Sequence, residues 1–519
     1  MKYIKILSLV FGTFLVSSCI DELNTYPEGG TITQDQKDEI GEKDPSKLDA
    51  DLQGMYSGFT AAWNTFGRSE NIHFDFSYPA IVLMLETSGM DMPSKVTGYN
   101  WFSDDVTYQD RIYTSYQTQM IWKRFYQSIM AANAVIKSVD PETEDVNSQF
   151  YLGQAKAMRA FCYFNLVRAF GEVPLIDFKV ETVADANIPK SSVAQIYTLI
   201  DEDLSNAESC LPRTWEAQYV GRLSWGAARA LHARTYMMRN DWNNMRAAAE
   251  DVIVSGLYNL NTPYETIFRE KGENCSESVL ELQCTSTTAL PGSNDIGSQY
   301  AQVQGCRGAG EWNLGWGQHT ATQLLADAFE EGDPRKDETL LYFIRTGEDP
   351  STIPANKPYG EKPIANADVV AKYFNKKVYT DPALRTQYTK GGYWVNIRLI
   401  RYSDVVLMAA EAACETGDKT NAKRYLEMVR SRARGTNGNI LPEVTTDDQN
   451  ELREAIRHER RVELGMEFDR FYDLVRWGIA KEVLHAAGKT GYQDKHALLP
   501  LPQDEIDKSN GVLVQNPNY

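Results

Sequence analysis

The sequence predicts a mainly helical fold of repeated two-helix units, with a loop-rich insertion lobe that contains short strands. Three observations carry this expectation. Long segments place apolar residues at spacings of three and four, the period of an amphipathic helix. Two helical pairs overlay at an offset of 177 residues. Near the C-terminus, the stretch Glu454 to Gly478 reads as two consecutive helices in which apolar positions alternate with dense, oppositely charged side chains.

The elements follow in chain order. Residues 1–18 have the form of a secretory signal, with Lys2 and Lys5, an apolar run, and the small residues Ser17 and Ser18 before Cys19. A cleavage site abutting a cysteine is the lipoprotein arrangement, so Cys19 is the expected lipidation site, and several acyl chains would anchor it firmly. Residues 19–45 are polar and glycine-bearing and read as a lipid-anchored flexible tether. The folded part is expected over 46–519, with helical repeats over about 46–255 and 399–485 and the insertion over about 256–398.

Leu48, Leu52, Met55 and Phe59 mark one face of a first helix. Residues 116–139 and 148–170 predict two long helices, the second stopped by Gly171-Glu172-Val173-Pro174. Segments 192–209 and 224–238 predict another pair. The repeat itself begins at Leu231 and at Met408, and overlays Ala233 on Ala410, Asp241 on Asp418 and Val252 on Val429. Each copy is a helix with small residues, a short turn bearing an Asp, and a second helix that the Asp can cap; this is a tetratricopeptide-like hairpin. Within the insertion, SVLELQCTST alternates as a strand does, and DPRKDETLLYFI and KYFNKK allow further short strands.

In the C-terminal stretch, Glu459 and Glu463 share a helical face, as do Asp469 and Asp473, and Arg470 lies three residues before Asp473. The stretch is rich in Arg and has no Lys, which suits partly buried bidentate pairs, so a charge-paired clasp is expected.

Composition limits the function. The net charge of −18 argues against a nucleic-acid partner, since phosphate binding requires a basic excess. Removal of residues 1–18 would make the charge more negative still. The seven cysteines show no zinc spacing. Cys162 and Cys414 sit in apolar helical runs, whereas Cys275, Cys284 and Cys306 share a loop-rich region where a disulfide could form. His458-Glu459 opens like a zinc-protease helix, but Val462 stands where the second histidine is needed. No P-loop, nucleophile elbow, dinucleotide fingerprint or calcium loop occurs, so neither a cofactor nor a metal is expected.

The positive signal is aromatic. Tyr99, Asn100 and Trp101 lie in one polar loop, and Trp312 and Trp316 in a glycine-rich one, with Asn294, Tyr300 and Arg307 upstream as weaker candidates. Flat aromatic faces rimmed by polar groups suit a carbohydrate, although packing would explain any one of these residues equally well.

The block ER..EL…FDRFYDLVRWG, followed by LLPLPQDEI and a terminal QNPNY, resembles the C-terminus of the SusD/RagB family. The resemblance implies a surface-exposed, outer-membrane lipoprotein with four helical repeats. Such a protein binds an oligosaccharide or polysaccharide without cleaving it, and works beside a SusC-like TonB-dependent porin. It implies ligand contacts from a loop near the N-terminal helices and from insertion loops, the places that Tyr99, Trp101, Trp312 and Trp316 occupy. Asp21 and Glu22 resemble the export tag that follows the lipidated cysteine in such proteins. Two alternatives stay open: the same architecture binding peptides or another nutrient, and a lipid-anchored glycan hydrolase.

Overall fold

The structure is a computed structural model. It describes residues 49–56, 116–140, 142–182, 184–292, 296–307, 313–316, 321–342, 359, 372–467, 469–487 and 492–519. Cys19, the tether, Tyr99, Asn100, Trp101, Asn294 and Trp312 lie outside the described residues.

A row of antiparallel helices forms the body. Helix α1 (49–56) buries Leu52 and Met55 in the main core, two of the four residues that marked its apolar face. Helices α2 (Tyr116–Ser138) and α3 (Val146–Phe170) follow as expected. Asp145 caps α3 by accepting from Ser148 N at 2.7 Å, and Gly171 ends it at φ +74°, a conformation that costs glycine least. Strand β1 (Val173–Pro174) pairs with β2 (Lys190–Ser191) across the connection to α4 (Val193–Cys210). A capping box opens α4, with Ser192 and Gln195 each satisfying the other's backbone N–H.

Helices α5 (Trp225–Met238) and α6 (Trp242–Val254) form one copy of the repeat, and α7 (Tyr402–Glu415) and α8 (Lys419–Arg434) the other. Their turns match atom for atom. Asp241 accepts from Asn244 N at 3.3 Å and Nδ2 at 2.7 Å, while Asp418 accepts from Asn421 N at 3.1 Å and Nδ2 at 2.7 Å. The residue before each Asp takes positive φ, Asn240 at 53° and Gly417 at 81°. The two copies pack through α6 on α7 and are clipped together at the surface. Arg246 donates to Asp418 at 2.6 Å, and Tyr425 to Glu250 at 2.9 Å.

Helix α7 lies at the centre and is buried from Tyr402 to Cys414. Its small residues let α5, α6, α8 and α9 (Gln449–Glu463) pack against it. Two of its acids, Asp404 and Glu411, are buried with it and face arginines.

Between α6 and α7 the chain makes only short elements. Strand β3 (Ser278–Leu282) pairs antiparallel with β6 (Ile397–Arg401), and β4 (Leu340–Tyr342) with β5 (Tyr373–Asn375). The expected strands in SVLELQCTST and KYFNKK are present, but the first half of DPRKDETLLYFI is a helical turn, Pro334–Thr339. Asp333 caps that turn and Pro334 starts it, a strong helical signal that outweighs the strand-like residues following it. The six described cysteines are all free, so the disulfide left open among Cys275, Cys284 and Cys306 is not formed. No helix among the described residues is long and apolar enough to cross a membrane.

The C-terminal clasp is buried. It spans α9 and α10 (Arg470–Arg476), and Glu459 and Glu463 are fully inaccessible. Their partners come from elsewhere in the chain. Glu459 accepts from Arg335 at 2.5 Å and Arg430 at 2.9 Å. Glu463 accepts from Arg335 at 3.1 Å, Arg401 at 3.0 Å and Arg432 at 2.5 Å. Asp473 is held by Arg460 at 3.1 Å and Arg476 at 2.9 Å, while Arg470 stands over the Trp477 ring at 5.4 Å. Burial alone would raise the Glu463 pKa, but the surrounding Arg432, Arg401, Arg335 and Lys377 charges outweigh it and hold the carboxyl far below its ordinary range.

Candidate ligand-binding site

Three of the expected contact residues, Tyr300, Arg307 and Trp316, are described, and the chain brings them into one small loop cluster in the insertion. Residues Tyr300–Gln304 form a short helix, and Arg307 follows it at once. The returning segment 313–316 is tied back onto this helix by its backbone. Leu314 N and Gly315 N both donate to Cys306 O, at 2.9 and 3.0 Å, and Trp316 N donates to Gln302 O at 2.8 Å.

Two glycines make this close approach possible. A Cβ on Gly315 would stand 2.2 Å from Gln302 O and 2.8 Å from the Gly305 Cα. A Cβ on Gly305 would meet Ala301 O and Leu314 O at 3.0 Å each. Leu314 is buried beneath the turn, and Asn313 is exposed on it. Trp316 and Arg307 are half-buried, so an indole and a guanidinium are held at the protein surface on a fixed backbone. The Tyr300 ring is half-buried too, but packs against the main core, and burial pushes its phenol up.

Below this turn lie polar residues that the sequence did not single out. Tyr393, buried, accepts from Gln299 Nε2 at 2.7 Å and donates to Gln302 Oε1 at 3.0 Å. Gln299 Nε2 also reaches Gln302 Oε1 at 3.2 Å. The two backbones are joined by Ser298 N donating to Tyr393 O at 2.8 Å. The only local hint is the pair Gly391-Gly392 before Tyr393; a Cβ on Gly391 would meet the Tyr393 ring at 2.7 Å.

The described residues of this cluster offer the Trp316 indole, the Arg307 guanidinium and a set of amides. Among the described residues no group of three or more His, Cys, Asp or Glu side chains could hold a metal ion.

Helical repeats carrying a loop-rich insertion define the class of fold. Comparison with known proteins gives the family. Residues 276–519 match the profile described as SusD family, and residues 80–237 match a second profile described as "Starch-binding associating with outer membrane". The chain belongs to the SusD/RagB family. It is 28% identical over 424 residues to SusD-like protein P2 of Formosa agariphila, covering 77% of this chain and 80% of that one. Among solved structures it is similar to a laminarin binding SusD-like protein (25% identity, TM-score 0.70, 92% of this chain and 100% of that chain). It also shares the fold of surface glycan-binding protein A from Bacteroides thetaiotaomicron, solved in complex with laminarihexaose (21% identity, TM-score 0.70, 91% of this chain and 99% of that chain).

Proposed function

We propose that this chain is a cell-surface, glycan-binding lipoprotein that captures oligosaccharides and hands them to a SusC-like TonB-dependent porin. Trp316 is the observation that carries the reading: a large aromatic side chain, half-buried on a glycine-bearing segment whose amides reach Cys306 O, with Arg307 next in sequence to Cys306. Sugar rings present apolar C–H faces edged by hydroxyls, so an indole supplies contact area and a guanidinium donates to the edge. Hydrogen bonds to hydroxyls replace bonds to water and add little net free energy each, so the aromatic faces supply most of the affinity. Tyr99, Asn100, Trp101, Asn294 and Trp312 complete the proposed surface, and Cys19 anchors the protein in the outer membrane. The names of the relatives support a glycan, one being called laminarin binding and another solved with laminarihexaose.

Calorimetric titration of the protein lacking its first 45 residues with a polysaccharide panel, laminarin included, tests the reading. At least one glycan should bind without product appearing, and Trp316→Ala should weaken that binding about tenfold or more, about 1.4 kcal/mol. The melting temperature should stay within a few degrees of the unmodified protein. Binding of peptides and of no glycan would overturn the ligand class, and shortening of the glycan would restore the hydrolase alternative.

A further inference from the structure

Trp316 can serve as a platform only if its backbone holds still, and beside the Cys306 carbonyl that ties the preceding residues, a polar cradle holds it. Its amide donates to Gln302 O at 2.8 Å, on the first turn of a helix only five residues long. So short a helix has little rigidity of its own, because helix formation gains from length. Gln302 is fixed instead through its side chain, whose Oε1 accepts from the Tyr393 hydroxyl at 3.0 Å and from Gln299 Nε2 at 3.2 Å. The same Gln299 nitrogen donates to the Tyr393 oxygen at 2.7 Å, which closes a ring of three side chains.

In this structure the Tyr393 hydroxyl donates to Gln302 Oε1, and Gln299 turns its amide nitrogen to the phenol, which leaves its own Oε1 buried without a partner among the described residues. Tyr393 is also joined by its backbone to the segment that carries Gln299, its carbonyl accepting from Ser298 N at 2.8 Å. Gly297 lets these two segments meet, since a Cβ there would lie 2.5 Å from Tyr393 O and 2.8 Å from Thr285 O.

We infer that Gln299, Gln302 and Tyr393 are positioning residues for the binding surface: they set the height and tilt of the Trp316 turn, and so the affinity for a stacked sugar, without touching the ligand. The inference rests on the proposed role of Trp316. It assigns a function to the Gly391-Gly392-Tyr393 segment, which lies far from Trp316 in sequence.

Tyr393→Phe separates the two claims, because it keeps the buried ring and removes only the hydroxyl. Hydrogen exchange, read on peptides spanning 313–316, reports the turn directly. Glycan titration reports the surface. Tyr393→Phe removes two of the three hydrogen bonds in the ring and should speed exchange at the Trp316 amide about fivefold or more, with the global melting temperature nearly unchanged. Glycan affinity should fall by a similar factor, and combination with Trp316→Ala should add no further loss, as coupled residues behave. Faster exchange with unchanged affinity would keep the cradle and remove Trp316 from the binding surface. Unchanged exchange at 313–316, or additive losses in the double variant, would overturn the positioning role.

Discussion

His232 is held in α5 with both ring nitrogens facing carboxylates. Nδ1 lies 2.6 Å from Glu208 and Nε2 lies 3.3 Å from Asp201, and the ring stacks on Tyr236 at 4.4 Å. Both nitrogens can donate only in the imidazolium, so the geometry calls for the charged form. Arg239 braces Asp201 at 2.7 Å, and Arg229 braces Glu208 at 3.0 Å and Asp251 at 2.8 Å, so this cluster ties α4, α5 and α6 together. Burial alone would lower the His232 pKa; the hydrogen bonds and charges of Asp201 and Glu208 outweigh it and raise it. A group whose pKa is raised in the folded state adds stability that is fully present below the unfolded value, about 6.5, and is lost as pH rises through the folded value. Denaturation midpoints measured between pH 5 and 9 should therefore fall with rising pH, and His232→Gln should flatten that slope. An identical slope in the variant would show that folding leaves the His232 pKa unchanged. Asp404 has the opposite sign. Burial would raise its pKa, but Arg234 and Arg460 hold it at about 2, so its contribution is lost only in strong acid.

The repeated hairpin is the element that the sequence displayed most clearly. Its turn is a local structure: an Asp capping a helix and an Asn or Gly before it are written in adjacent residues. Periodicity and caps therefore located α2 to α8 closely. The two turns nonetheless differ in load. The Asp241 carboxylate accepts only from Asn244 of its own helix among the bonds described, whereas that of Asp418 also takes the Arg246 guanidinium of the neighbouring copy at 2.6 Å. Loss of a helix cap costs about 1 kcal/mol. Asp241→Ala should therefore cost about 1 kcal/mol in urea denaturation. Asp418→Ala should cost more, because it also releases Arg246, part of whose hydrogen bonding is then left to Glu250 at 2.9 Å. Equal costs for the two would mean that the clip between the copies adds nothing. The sheets were less legible for the opposite reason. Strand β6 pairs with β3 across more than a hundred residues, and no residue in IRLIR announces its partner.

At the scale of the molecule, the clasp connects what the sequence keeps apart, and it shows why half of it was hidden. The acids Glu459 and Glu463 and the Arg-rich composition were visible, because i and i+4 share a helical face whatever the fold. The cations that meet them were not. Arg335 comes from the insertion, Arg401 from the end of β6, and Arg430 and Arg432 from α8. Only the tertiary fold brings them within 3.1 Å of the two carboxylates. The same limit hid Gln302 and Tyr393 beneath Trp316, where the loop aromatic was legible and its support was not. Glu463 is the joint of this network, accepting from three guanidinium groups that belong to three segments. Glu463→Ala would strand those charges in a buried site, which costs about 3–5 kcal/mol, against under about 1 kcal/mol for an exposed pair. Urea denaturation should show a loss in the larger range. Hydrogen exchange should rise in Pro334–Thr339 and β6 together, since each loses one of its ties to α9. A loss under about 1 kcal/mol, or faster exchange confined to α9, would mean that the Glu463 carboxylate does not tie the insertion to α9.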